Sequence, residues 1–371
     1  MKLSHFLKGL PLLLLLFFSG RLSVKGQKQD DPVLHLGVTG LVHDHVSWIF
    51  NRQKPDIKIV GIVETNPATI SKYKKRYQLA DSLFFESYEA LYKKGRLDAV
   101  SAFNPTQLHL EVVNYFAPKK IPIMVEKPMA TSYEDALKMG HLATTYQVPL
   151  LINCETSWYE STYEDQYLIE SGRIGPLTKM VFNTGHQGPQ EIGCSPEFIA
   201  WLTDPILNGG GALTDFGCYG ANIATWLLKG ETPLKISCVA KQSKPKIYPK
   251  VVDDTAIVLD YTNHQVVIRA LWNWSHNRKD MQVYGLKGYI DNQNASKMFL
   301  MESETEGEKL HSPKTIPPFL KDPFRLLYEV VFNDLELPPY SLYSVENKLI
   351  VSKILSLASK AAKTQKTQNW N

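Results

Sequence analysis

The sequence predicts an α/β plus α+β chain: a doubly wound parallel sheet followed by a region built on a large, mostly antiparallel sheet. Three observations lead there. Between Val33 and Asn153 short continuous apolar runs alternate with segments of helical period, the pattern of strands buried on both faces and their crossover helices. Beyond Cys154 longer runs alternate apolar and polar residues, as antiparallel strands with one covered face do. The 371 residues are enough to bury two cores of ordinary domain size.

Taken in order, Val33 to Val38 reads as a buried strand and His45 to Phe50 as a helix start, with Val46, Ile49 and Phe50 at helical spacing. Ile57 to Val63 is a second strand, and Pro67 opens a basic helix through Arg76, proline being tolerated in a first turn. Asp98 to Phe103 gives a third strand, a helix follows around Glu111 to Phe116, and Ile123 to Val125 gives a fourth. A helix from Tyr133 to Tyr146 leads to the strand Val148 to Asn153. The alternating segments Lys235 to Val239, Thr255 to Tyr261, Val266 to Trp272 and Gln282 to Tyr284 build the second sheet, with turns at Asn263-His264 and Lys287-Gly288. Pro338-Pro339 precedes an amphipathic helix, Val345 to Ala361, free to pack on either region.

A formal charge of +4, much of it near the N-terminus and in Lys360, Lys363 and Lys366, gives no basic surface for nucleic acid. Lys2 and Lys8, the apolar stretch Leu10 to Phe18 and Ser19-Gly20 have the layout of a secretory signal peptide, too short in its apolar core for a stable membrane span. The expectation is export to the periplasm or beyond, with no stable membrane anchor. Cys154, Cys194, Cys218 and Cys238 are widely spaced and lack zinc-site spacing; one disulfide and buried free thiols both stay open.

A strand, a tight glycine turn and a helix start hold a pyrophosphate, because unpaired amides and the helix dipole converge there. Here the turn reads Gly37-Val38-Thr39-Gly40-Leu41-Val42-His43-Asp44-His45, so Gly40 takes the first glycine place while Val42 and His45 take the second and third. Gly40, Leu41, Val42 and His43 are the candidate cofactor contacts. Glu64 ends the second strand near the spacing expected of the residue that holds the adenine ribose hydroxyls, and its charge repels a 2′-phosphate. That predicts NAD rather than NADP, against the plain alternative of a solvated turn glutamate. His43 and His45 are not expected to bind metal, because near-consecutive residues converge poorly and no carboxylate-rich partner segment is evident; Asp44 is expected to cap the helix.

Two segments sit at carboxyl ends of strands, where open α/β sheets bind ligands: Asn104-Pro105-Thr106-Gln107-Leu108-His109 and Glu126-Lys127-Pro128. A third, Asn208-Gly209-Gly210-Gly211-Ala212-Leu213-Thr214-Asp215-Phe216-Gly217-Cys218-Tyr219, places Asp215 and Tyr219 on one helical face. In this order the three resemble the Gfo/Idh/MocA oxidoreductases, from Val33 into the C-terminal sheet. Tyr219 stands where many members carry His and is similar to the glucose-fructose oxidoreductase-like variant.

The resemblance implies a Rossmann NAD-binding domain over 32–153, a substrate and oligomerisation domain over 154–340, a C-terminal helix and tail over 341–371, and a signal peptide over 1–26. It implies that Asn104, Pro105, Thr106, Glu126 and Lys127 approach the nicotinamide half of the cofactor, and that His109 contacts either the ribose or the substrate. Hydride removal from a carbinol requires a proton acceptor and a group to stabilise the alkoxide. On this resemblance Tyr219 relays the proton, Lys127 lowers the phenol pKa, Asp215 orients substrate hydroxyls, Glu126 shapes the loop and Pro128 aims Lys127. Trp158, Tyr159 and Trp201 are candidates for stacking on a sugar, with core packing as the alternative. Where many relatives carry Arg or Asn-Arg after the sixth strand, this chain reads Glu155-Thr156-Ser157-Trp158, which makes an anionic substrate less attractive.

The implied activity is nicotinamide-dependent oxidation or reduction of a sugar or polyol by a homodimer or homotetramer. Two alternatives stand beside it: a glycosidase that oxidises its substrate transiently with bound NAD, and a non-catalytic sugar-binding member of the fold. Net NADH, release of an aglycone without net NADH, and failure to bind nicotinamide separate the three.

Overall fold

The computed structural model describes residues 31–371, so the signal-peptide segment lies outside the described residues. Six strands, β1 (Leu34–Thr39), β2 (Ile57–Val63), β3 (Phe84–Phe85), β4 (Ala99–Ala102), β5 (Ile123–Glu126) and β6 (Leu150–Asn153), form one parallel sheet in the order β3-β2-β1-β4-β5-β6. Between them run α1 (Val46–Phe50), α2 (Pro67–Tyr77), α3 (Tyr88–Lys93), α4 (His109–Phe116) and α5 (Tyr133–Tyr146). Every residue of β4, β5 and β6 is buried, which is why those strands read as unbroken apolar runs. The strand order reverses between β1 and β4, and the crevice this leaves at their carboxyl ends is where a dinucleotide binds in such sheets.

Local chemistry sets the helix starts. The Asn66 side chain accepts from the amides of Ala68 and Thr69 ahead of Pro67, and Ser132 accepts from Asp135 at the start of α5. β2 and α5 have the bounds that the sequence predicts. The sequence reading does not pick out β3 and α3, because a two-residue strand has no period to detect.

The second sheet has nine strands in the order β14-β13-β12-β11-β7-β10-β9-β8-β15. They are β7 (Leu177–Gly185), β8 (Lys235–Lys241), β9 (Asp254–Asp260), β10 (Gln265–Leu271), β11 (Arg278–Gly285), β12 (Tyr289–Asn292), β13 (Met298–Met301), β14 (Lys309–His311) and β15 (Gln368–Asn369). All neighbours are antiparallel except β7 and β10, which the sequence reading does not anticipate. The helices of this half are α6 (Glu160–Glu170), α7 (Pro196–Leu202), α8 (Ala212–Leu227), α9 (Pro323–Phe332) and α10 (Val345–Thr364).

Helix α8 is buried along its whole length. It lies close on the sheet because Gly220 has no side chain: a Cβ there would meet Ile268 at 2.9 Å and Phe182 at 3.0 Å. Helix α10 packs on both regions, with Val345 and Leu349 against the core beside α5, and Val351, Ile354 and Leu355 in the core that includes α8. Buried Lys348 fastens it by donating to Asn222 Oδ1 and, at 2.6 Å, to the Leu342 carbonyl. All four cysteines are free thiols, Cys154 and Cys218 buried, which decides between the two states the sequence leaves open.

Candidate active site

The turn after β1 is fixed from three sides. The Gly40 amide donates to Val63, the His43 amide donates to Phe103, and Thr39 Oγ1 donates to Asn104 Oδ1 at 2.8 Å. Gly40 has φ +73°, and a Cβ on it would stand 2.7 Å from Asn104 Nδ2 and 2.8 Å from the Asn104 amide nitrogen. Only glycine suits both the conformation and the approach. Gly40→Ala is therefore expected to cost about 1–3 kcal/mol of stability and to weaken nicotinamide binding by displacing Asn104. A melting curve and an NAD titration check this, and unchanged values in both contradict it.

Glu64 follows β2 directly and leans back to the turn. Its Oε2 accepts from the Leu41 amide at 3.2 Å, and its Oε1 from the amides of Thr65 and Asn66, both at 2.9 Å. An open cleft of about 850 Å³ runs away from it, lined by Glu64, Thr65, Pro67, Ile70, Lys74 and Lys75 among others. The cleft's lining does not include Lys127. Helix α1 has only five residues, so little macrodipole develops at its start.

Two expectations at this turn need correction. Asp44 does not cap α1: its Oδ2 accepts from the Ser195 amide at 2.9 Å and ties the turn to α7, while the cap position is His45 without a side-chain bond. A carboxylate does approach the histidines, since His45 Nδ1 is 3.0 Å from Glu126 Oε2 and ligand atoms of His43, His45 and Glu126 all lie within 4.8 Å. Long-range strand pairing brings Glu126 in, which local spacing hides. The lone pairs are already engaged, however: His43 Nδ1 accepts from the His45 amide at 3.2 Å, so its Nε2 carries the proton, and Glu126 Oε1 accepts from Asn153 Nδ2 at 2.8 Å.

Lys127 leaves the end of β5 into a cis Lys127–Pro128 peptide and meets α8. Its Nζ pairs with Asp215 Oδ1 and donates to the Asp215 carbonyl at 3.3 Å. The same ammonium stands 5.2 Å from the Tyr219 ring centroid and 5.7 Å from that of Phe216. The sequence thus predicts the meeting of Lys127, Asp215 and Tyr219, and the fold brings all three together. Among the described residues the Tyr219 hydroxyl has no hydrogen-bond partner, although the residue is only 2% exposed.

The electrostatics differ from the expected scheme. Burial works against the Lys127 ammonium, but the Asp215 carboxylate outweighs it and holds its pKa above the ordinary lysine value. Burial likewise opposes the Asp215 charge, and Lys127 keeps that carboxyl below its usual range. Burial first, and the Glu155 carboxylate second, push the Tyr219 phenol well above its normal pKa. Burial and Glu155 thus outweigh any lowering of the phenol by Lys127, whose ammonium pairs with Asp215 while it stands over the ring. Both Asp215 oxygens have partners within the protein, Lys127 on Oδ1 and, at 3.0 Å, Trp272 Nε1 donating to Oδ2. Asp215 positions Lys127, a role for which Trp272 gives no sequence signal.

The remaining candidates divide. Trp201 is a turn anchor and not a pocket wall: its Nε1 donates to the Val42 carbonyl at 3.2 Å and its ring packs on His43 and Phe198. Trp158 is half-buried, donates to Asn153 Oδ1 at 3.1 Å and meets Trp48 edge-on. Tyr159 is half-buried and donates to Glu155 Oε1 at 2.9 Å. His109 and Thr106 are fully buried under the Glu126-Lys127-Pro128 loop, His109 Nδ1 lying 3.2 Å from the Met129 carbonyl. His109 Nε2, Thr106 Oγ1 and His43 Nε2 have no partner among the described residues, and buried polar atoms left so beside a crevice fit a cofactor that supplies their bonds. Asn104 and Pro105 border the same crevice, half-buried.

Burial lowers the pKa of His109 and His186 to about 4 and holds those of His43 and His45 well below the ordinary value. A histidine whose folded pKa is depressed is the poorer proton acceptor in the native state, so stability falls as pH drops from about 6.5 toward 4. Ring NMR is expected to show His109 and His186 still neutral at about pH 5. Titration of both near 6.5 in the folded protein contradicts this.

Model-to-sequence matches cover both regions. The oxidoreductase family NAD-binding Rossmann fold matches residues 34–154, and the GFO/IDH/MocA C-terminal domain matches residues 166–291. This chain belongs to the Gfo/Idh/MocA family of NAD(P)-binding oxidoreductases. It is similar to the NADP-dependent D-xylose 1-dehydrogenase of Haloarcula marismortui, 24% identical over 66% of this chain and 68% of that protein. It is also similar to the D-apiose dehydrogenase of Rhizobium rhizogenes, 26% identical over 56% of this chain and 57% of the relative. Among solved structures, the aldose-aldose oxidoreductase of Caulobacter crescentus complexed with glycerol shares the fold at TM-score 0.75, 19% identity and coverage of 91% and 99%. An oxidoreductase from Agrobacterium radiobacter, in complex with NAD+, L-tartaric acid and magnesium, does so at 0.73, 18%, 91% and 98%.

Proposed function

We propose that this chain transfers a hydride between NAD and a carbinol carbon of a sugar or polyol. One observation carries the reading: a charged lysine at a strand end and a partnerless tyrosine hydroxyl from a distant helix meet at the end of a dinucleotide crevice. The cofactor, when bound, supplies the hydride acceptor or donor. Turn residues Gly40 to His43 would hold its phosphates, Glu64 its adenine ribose, and Asn104, Pro105, Thr106, His109 and Glu126 its nicotinamide half. Tyr219, a neutral phenol at rest, donates its proton to the substrate oxygen in the reducing direction; in the oxidising direction its phenolate, formed by loss of that proton to water, accepts the carbinol proton. The Lys127 ammonium stabilises charge on that oxygen as it develops. Dehydrogenases of xylose and apiose among the relatives support a sugar as substrate.

Glu64 supports NAD over NADP, because its carboxylate already occupies the place a 2′-phosphate would approach and Lys74 beside it is paired with Asp81. The basic and apolar N-terminal stretch supports export of the mature chain. Exposed Val239, Tyr284, Leu286 and Leu310 in or beside the large sheet support self-association, as a homodimer or homotetramer.

The test is direct. Purified protein is mixed with NAD+ or NADP+ and a panel of aldoses and polyols, and reduced cofactor is followed by absorbance. Reduction of NAD+ by at least one sugar, with NAD+ binding about tenfold tighter than NADP+, is expected. Release of aglycone from chromogenic glycosides without net NADH replaces the dehydrogenase with a redox-neutral glycosidase. Absence of any nicotinamide binding rejects both enzymes.

A further inference from the structure

A second cation stands against the Tyr219 ring. Lys279, near the start of β11, holds its Nζ 5.8 Å from the ring centroid. Glu155, just past β6, is its partner, with Lys279 Nζ 2.5 Å from Glu155 Oε2 while Oε1 accepts from the Tyr159 hydroxyl. The phenol is therefore flanked by two ion pairs of different character. Lys127 and Asp215 are each about 5% exposed and Trp272 takes the remaining Asp215 oxygen, so that pair is closed. The Lys279 and Glu155 side chains are 15% and 24% exposed, so that pair still touches solvent.

An ion pair that keeps some water can exchange that water for ligand hydroxyls. A carboxylate accepts from two hydroxyls and an ammonium donates to sugar oxygens. Side by side they suit the adjacent hydroxyls of an uncharged sugar whose reacting carbinol lies at Tyr219. A sugar acid fares differently: its carboxylate must compete with Glu155 for Lys279 and lie beside a like charge.

We propose that Glu155 and Lys279 form a clamp for neighbouring hydroxyls of a neutral sugar, and that Glu155 keeps sugar acids out by neutralising Lys279 in advance. The proposal rests on the sugar oxidoreductase reading and makes Glu155 its specificity-determining residue.

Calorimetric binding of D-xylose and D-glucuronate to the NAD-loaded protein tests it, with wild type, Glu155→Gln, Glu155→Asp and Lys279→Met compared and their melting temperatures recorded. Wild type is expected to bind D-xylose at least about tenfold tighter than D-glucuronate. Glu155→Gln is expected to move that ratio about tenfold or more toward D-glucuronate, while Glu155→Asp, which keeps the charge, holds the wild-type ratio. Lys279→Met is expected to weaken D-xylose. A ratio unchanged in Glu155→Gln overturns the clamp, as does a wild type that prefers D-glucuronate. If Glu155→Gln does not fold, Lys279→Met decides, and undiminished D-xylose binding in it overturns the clamp. Wild type that binds NAD but no sugar overturns the sugar reading itself, a failure distinct from an unmoved ratio.

Discussion

Tyr219→Phe is expected to lower the rate of hydride transfer by about two to four orders of magnitude while leaving stability and NAD affinity near the wild-type values. Removing a buried hydroxyl normally costs the hydrogen bond it made and strands its partner. Here the hydroxyl has no partner among the described residues, and the ring keeps its contacts with Phe216, Lys127 and Lys279. The variant thus separates chemistry from packing. Single-turnover kinetics beside a melting curve read both, and retention of full rate removes Tyr219 from the mechanism.

Lys127→Met is the harsher change and its effect is twofold. The rate should fall at least as far as in Tyr219→Phe, because the ammonium proposed to stabilise the substrate oxygen is lost. Stability should also drop by about 3–5 kcal/mol, since Asp215 would keep a buried charge with only the Trp272 Nε1 to answer it. The double variant Lys127→Met with Asp215→Asn removes both charges and is expected to recover most of that stability but none of the activity. Urea unfolding and turnover measured on the single and double variants check the pair. Recovery of activity in the double variant would falsify a catalytic part for Lys127.

Much of this site was legible before any coordinates. Continuous apolar strands gave the parallel sheet, and strand ends gave Lys127 and Glu64, because a strand's carboxyl end in such a sheet is a fixed place for ligands. The i, i+4 spacing of Asp215 and Tyr219 gave their shared face. What escaped depends on contacts far apart in sequence. Trp272 and Lys279 come from strands of the second sheet and meet α8 only through tertiary packing. Glu126 reaches His45 across one intervening parallel strand, so local spacing could not reveal the cluster. For Trp201 the sequence leaves sugar stacking and core packing both open, because composition says that a tryptophan is large and flat, not which side of a turn it supports. The charge states of Lys127 and Tyr219 follow from burial and pairing, which a string of letters does not record.

The most direct measurement is a crystal structure of the protein with NAD bound. The account predicts the nicotinamide ring in the crevice, with its reacting carbon facing both the Tyr219 hydroxyl and the Lys127 ammonium across a gap sized for one carbinol, about 3–3.5 Å from carbon to carbon. A ring bound elsewhere, or one from which those two side chains point away, contradicts it.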